Sequence, residues 1–145
     1  MQDTSNLYEN DFFAWTQEQA RLIKEQAFNK LDLVHLFDEV EDMGNRHADG
    51  LESSLTVLLM HLLKWEYQPN MQSKSWQLSI KEQRRAIAKC FKKMPSLKTK
   101  LPDLFIEAYE DAIYQAEKET GLDESTFPKK CKWSIEQTLN DDFLP

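Results

Sequence analysis

The sequence predicts an all-α protein: a helical bundle of about four main helices, one of them long, plus a short C-terminal helix. Three observations carry this prediction. Only three glycines and five prolines punctuate 145 residues, so long stretches contain no breaker, which disfavours a turn-rich β architecture. Apolar residues recur at steps of three and four, the period of one helix face. Pro69, Pro95 and Pro102 fall at the edges of such runs, where they stop or start helices.

The first predicted helix covers about 7–28. Asn6 serves as N-cap with Glu9 three residues later, close to a capping box. Phe12, Trp15, Ala20 or Gln19, Leu22, Ile23 and Ala27 supply its apolar side. Asp32 then caps a second helix. Leu33, Leu36, Phe37, Val40 and Met43 continue through Gly44, His47 and Ala48 into Leu51, Leu55, Leu58, Leu59, Leu62 and Trp65 without losing phase. One long helix, about 32–67, is therefore preferred over a break at Gly44-Asn45. Pro69 ends it, because proline keeps the preceding residue out of the helical region. A third helix runs from about Ser75 to Met94, with Trp76, Ile80, Gln83, Ile87, Cys90, Phe91 and Met94 inward. Pro102 opens a fourth, lined by Leu104, Phe105, Ala108, Tyr109, Ala112 and Ala116 and closed by Gly121. Ser134 caps a short terminal helix that docks through Trp133, Ile135 and Leu139. No linker, repeat or low-complexity tract marks a boundary, so residues 1–145 read as a single helical-bundle domain.

No run of 18 apolar residues exists, so no membrane span is expected. The polar start MQDTSNLYEN lacks the pattern of a signal peptide, which makes a cytoplasmic location the default. Cys90 and Cys131 fit neither a disulfide scaffold nor a zinc pattern and read as free thiols. Net charge is −7 but uneven. Residues 74–100 hold nine basic residues against Glu82 alone, a net of +8, which leaves −15 for the rest of the chain. Lys81, Arg85, Lys89 and Lys92 form the outer stripe of the third helix. Such a stripe can pair with acidic faces of the same bundle or of a second copy, or receive an anionic partner.

The pieces LYENDFFAW, LFDEVEDMG, LLMHLLKWEYQP, SWQLSIKEQRR, EAYEDA, TFPKKCKWSIEQTL and DFLP follow one another along nearly the whole chain. In these the sequence resembles the bacterial family known as domain of unknown function 29. The resemblance implies an all-helical fold and no assigned activity. It also sets His61, Gln83, Arg84 and Asp111 at the family's polar motif positions. Where the family usually reads Glu-Glu-Ile-Glu, this chain reads Asp38-Glu39-Val40-Glu41, which keeps a carboxylate at each acidic place.

The polar residues offer two candidate sites. A metal site would draw on Asp38, Glu39, Glu41, His61 and Asp111, as carboxylate–histidine sites in helical bundles do. In a continuous helix, however, Glu41 and His61 lie 20 residues apart, roughly 30 Å at 1.5 Å per residue. No Glu-x-x-His occurs, so no metal and no cofactor is implied. The second candidate is a polar layer. Counting residues along antiparallel helices brings His61, Gln83, Arg84 and Asp111 to one level, with Lys64 and Tyr109 near it. Structurally this is a hydrogen-bonded network with an Arg84–Asp111 ion pair. Functionally it is an anion or nucleotide site on Arg84, Lys64 and His61, or an enzyme with His61 as base. Trp65, Tyr67, Pro69 and Trp76 either cage a ligand or pin the turn, and pinning is favoured. The sequence-level conclusion is a binding protein whose basic third helix and acidic second helix are contact surfaces. A protein partner or self-association is expected. Nucleic acid is a lesser alternative, because the chain as a whole is acidic.

Overall fold

A computed structural model describes residues 4–145, with side chains from residue 7 onward. Six α-helices follow in order: α1 Thr4–Asn10, α2 Phe12–Lys24, α3 Leu33–Tyr67, α4 Lys74–Lys93, α5 Leu101–Thr120 and α6 Ile135–Leu139, with short 3-10 turns between several of them. The all-α bundle predicted from periodicity is therefore observed. α3 runs unbroken through Gly44 and stops two residues before Pro69, as its phase and the proline predict. Gly121 closes α5 with φ of 75°, the left-handed conformation in which glycine carries no penalty. Ser134 and Gln137 form a reciprocal capping box at the start of α6. Among the described residues no helix is long and apolar enough to cross a membrane.

The first predicted helix requires correction. It is two helices, α1 and α2, because Asp11 leaves the helical region and its carboxylate accepts the Ala14 N–H at 3.1 Å. A strong N-cap in the middle of an apolar run outweighs the run's continuity. Asn6 lies inside α1 and does not begin it; its side chain is outside the described ones. α2 ends at Lys24, four residues before the predicted 28, and Gln26 turns the chain with a positive φ of 60°. The Ala27 N–H then reaches back to the Leu22 carbonyl at 2.9 Å, closing the helix end in the Schellman manner.

The chain forms two compact units, one through Arg46 and one from His47 to Pro145. In the first, Trp15, Gln19 and Leu22 are buried. Asp32 organises its polar contacts. The Asp32 carboxylate accepts from the Trp15 indole N–H at 3.0 Å and from His35 Nδ1 at 2.7 Å. The Asp32 N–H donates to Gln19 Oε1 at 2.9 Å. Burial pushes the Asp32 carboxyl up, but these hydrogen bonds outweigh it and hold the pKa below the usual carboxylate value. Tyr8 stacks on His35 at 3.9 Å between ring centres and donates its hydroxyl to Glu39 at 2.6 Å. That bond to a carboxylate pushes the Tyr8 phenol up to about 12.

In the second unit the stretch of α3 from Leu55 to Leu63 is apolar on most sides, with Thr56 and His61 its polar residues. Leu51, Leu55, Leu58, Leu59, Leu62 and Leu63 are buried against Ile80 and Ile87 of α4 and Phe105, Ala108, Tyr109, Ala112 and Ala116 of α5. A helix hydrophobic on every side belongs at the centre of its bundle. Each fully buried leucine contributes on the order of 2 kcal/mol through removal from water. Alanines at four-residue spacing on α5 keep that face shallow, so the bulk of α3 fits beside it. The C-terminal segment completes the core with Phe127 and Trp133, while Ile135 and Leu139 pack partly buried against it. Tyr109 fastens this segment by donating its hydroxyl to the Pro128 carbonyl at 2.5 Å.

Candidate functional site

The four residues of the expected polar layer do not form a network among the described residues. Among the described residues, no hydrogen bond or ion pair joins His61, Gln83, Arg84 and Asp111. The Arg84–Asp111 ion pair is corrected outright. Arg84, buried on α4, spends its guanidinium on backbone carbonyls of the C-terminal segment: Nε to Thr138 at 2.9 Å, Nη1 to Asp141 at 3.4 Å and Nη2 to Phe143 at 2.7 Å. Burial lowers its pKa, and Asp141 and Asp142 work in the opposite direction. A planar fork with five donors suits this geometry, because it meets several carbonyls at fixed angles.

His61 is half-buried, and its Nδ1–H donates to the Val57 carbonyl one turn earlier at 2.8 Å. Burial is the main cause of its lowered pKa, with the neighbouring Lys64 acting the same way and the Val57 bond opposing. The folded state therefore prefers neutral His61. Its contribution is complete above the ordinary value of 6.5 and is lost as pH falls through the lower folded pKa. The urea midpoint is expected to fall across that window, and His61→Gln should flatten this part of the profile. Equal pH slopes for both proteins would contradict the assignment.

Lys64 sits between two partners. Its ammonium pairs with Glu119 at 2.8 Å and lies 4.5 Å from the centre of the Trp76 ring. Lys64 thus ties α3 to α5 and α4 together. Trp65 is buried and its carbonyl accepts from the Gln72 side chain at 3.0 Å. Tyr67 meets Phe127 edge to face at 5.3 Å, and Lys132 pairs with Glu66 beside it.

Gln83 is half-buried on α4. Asp111 is exposed on α5, beside Glu52 of α3 in a shallow cleft of about 290 Å³. Burial, then the repulsion of Glu107, Asp111 and Asp49, raises the Glu52 pKa. Among the described residues no group of three histidines, cysteines or carboxylates is placed to hold a metal ion.

What α4 does assemble is a row of cations beside a groove. Lys81, Arg85, Lys89 and Lys92 are all exposed. Steps of four, four and three residues keep them on one face over about 16 Å. None of them takes part in an ion pair among the described residues. The groove beside them has a volume of about 600 Å³ and runs between α4 and the C-terminal segment. Ile80, Ala88 and Leu144 supply apolar lining, Lys81 and Arg85 the cationic wall, and Asp141 and Asp142 the opposite wall. Arg84 lies beneath, and its carbonyl clamp sets where that opposite wall stands. Sequence reasoning found the cationic row from its spacing. It missed the tail that turns the row into a groove, because backbone carbonyl acceptors leave no residue signature.

No curated protein and no solved structure matches this chain. The family model described as "Domain of unknown function DUF29" matches residues 7–144, a span that takes in α2 to α6, the later part of α1 and the Arg84 clamp, and the chain belongs to that family.

Proposed function

We propose that this protein is a binding module that takes an acidic, extended segment of a partner protein along the basic face of α4. The observation that carries this reading is the row of exposed cations Lys81, Arg85, Lys89 and Lys92, none in an ion pair among the described residues; Lys81 and Arg85 also line a groove with apolar residues, whose far wall carries Asp141 and Asp142. Unpaired charges in a row raise the local concentration of the opposite charge and steer its approach. The apolar lining offers side chains of the segment a place to leave water. A short acidic segment needs complementarity only along this row. A nucleic acid also brings its charge density against the remainder of the chain, which carries −15.

The other polar residues support binding over catalysis. His61 Nδ1 is engaged by its own helix, and Arg84 and Lys64 are committed to structural partners. The test is fluorescence anisotropy with a labelled Asp/Glu-rich peptide, a neutral peptide and a single-stranded oligonucleotide. The acidic peptide is expected to bind and to weaken steeply with salt, because screening shortens the reach of exposed charges to about 10 Å at 0.1 M. Lys81→Glu with Lys89→Glu should weaken it about tenfold or more. Tighter binding of the oligonucleotide would transfer the reading to nucleic acid. Binding unchanged by charge reversal would overturn it.

A further inference from the structure

Along α3, three apolar residues of the first unit have counterparts 18 residues later. Leu33 precedes Leu51, Phe37 precedes Leu55, and Val40 precedes Leu58. Eighteen residues are five helical turns, so each pair shares one face. Leu51, Leu55 and Leu58 are 2%, 0% and 0% exposed, whereas Leu33, Phe37 and Val40 are 67%, 64% and 63% exposed. The later half of the stripe is buried in the core of the second unit. The earlier half lines an open groove of about 620 Å³ with Leu36 and Glu41.

We propose that this face is covered by the same face of a second copy, giving a two-fold dimer through Leu33, Leu36, Phe37, Val40 and Met43. The spacing is that of a helix-pairing seam: Leu33, Leu36, Val40 and Met43 step by three, four and three, as the a and d positions of a coiled coil do. The first unit also needs cover. Trp15 and Leu22 are the only large apolar side chains buried within it among the described residues, and units of this size rarely hold together on so little core. Leu33, Phe37, Val40 and Met43 alone expose on the order of 400 Å² of apolar surface, already in the range of the largest patch on an ordinary monomer. A stable complex buries roughly 800 Å² per partner, so the rim around the patch must supply the remainder.

The composition of the stripe selects a second copy. An apolar seam needs an apolar complement, and the outward row of α4 is charged. A two-fold axis supplies the complement without a further surface. Of the carboxylates on this stretch Glu41 lines the groove at its edge, about 80° from the Leu33 direction, and the others lie further from the seam. At about 100° per residue, Asp38 and Asp42 point roughly 140–180° away from the Leu33 direction, so two acidic helices can meet along the seam with these carboxylates outward.

Sedimentation velocity on the full chain tests this at micromolar concentrations. The wild-type protein is expected to be a dimer. Val40→Glu is expected to be a monomer that keeps at least the helical circular dichroism of the second unit. Leu78→Glu, a change at an exposed apolar residue of α4, is expected to remain a dimer. Should Val40→Glu fail to fold, Val40→Ala serves in its place and is expected to raise the dimer dissociation constant about tenfold. A wild-type protein that is monomeric, or that forms larger assemblies, would overturn the proposal. So would a folded Val40→Glu, or a Val40→Ala, that dimerises like the wild type.

Discussion

Arg84→Met is expected to lower stability by about 3 kcal/mol and to release the segment after Thr138. Charge-assisted hydrogen bonds contribute about 1.5–3 kcal/mol each, and Arg84 makes three. Two effects offset part of that sum. The buried guanidinium was desolvated at some cost, which its lowered pKa reflects. The Asp141 and Phe143 carbonyls lie near the surface and can recover water. The Thr138 carbonyl lies deeper, beside a fully buried side chain, and its loss dominates. Arg84→Lys should recover only part of the difference, since one ammonium cannot reach acceptors spread across a planar fork. Urea denaturation measures the loss, and carboxypeptidase digestion reports the freed tail. A variant within about 0.5 kcal/mol of wild type with a resistant tail would show that the clamp does not hold the segment.

Leu58→Ala and Val40→Ala remove the same kind of apolar bulk from the same face of one helix, five turns apart. Their effects should differ widely. Leu58 is fully buried, so its truncation leaves a cavity that close-packed neighbours fill only in part, and about 3–4 kcal/mol is expected. Val40 is largely exposed within its own chain. In solutions dilute enough to hold monomers, its truncation should cost less than about 0.5 kcal/mol. Equal losses in dilute solution would mean that the chain itself covers Val40.

Features with local signatures were readable in advance. The phase of apolar residues carried α3 through Gly44, Pro69 ended it, and Ser134 announced the last cap. The break at Asp11 was obscured because an apolar period on both sides of it suggested one helix. The polar layer failed for a different reason. Counting residues along antiparallel helices finds the level of a side chain but not the side it faces. Arg84 and Asp111 fell at one level by that count, yet Arg84 takes the tail and Asp111 lies beside Glu52. Lys64 was placed among anion-binding residues, and its pairing with Glu119 required contact between residues 55 apart in sequence. The open stripe on α3 had the pattern of a core, and pattern alone cannot name the surface that covers it.

A pull-down from native lysate, analysed by mass spectrometry and repeated with Arg85, Lys89 and Lys92 changed to glutamate, tests the central claim most directly. If the basic face of α4 is the contact surface, acidic protein partners are captured by the wild type and lost on charge reversal, while the variant keeps its helical spectrum. The same partners captured in the same amounts by both proteins would contradict it.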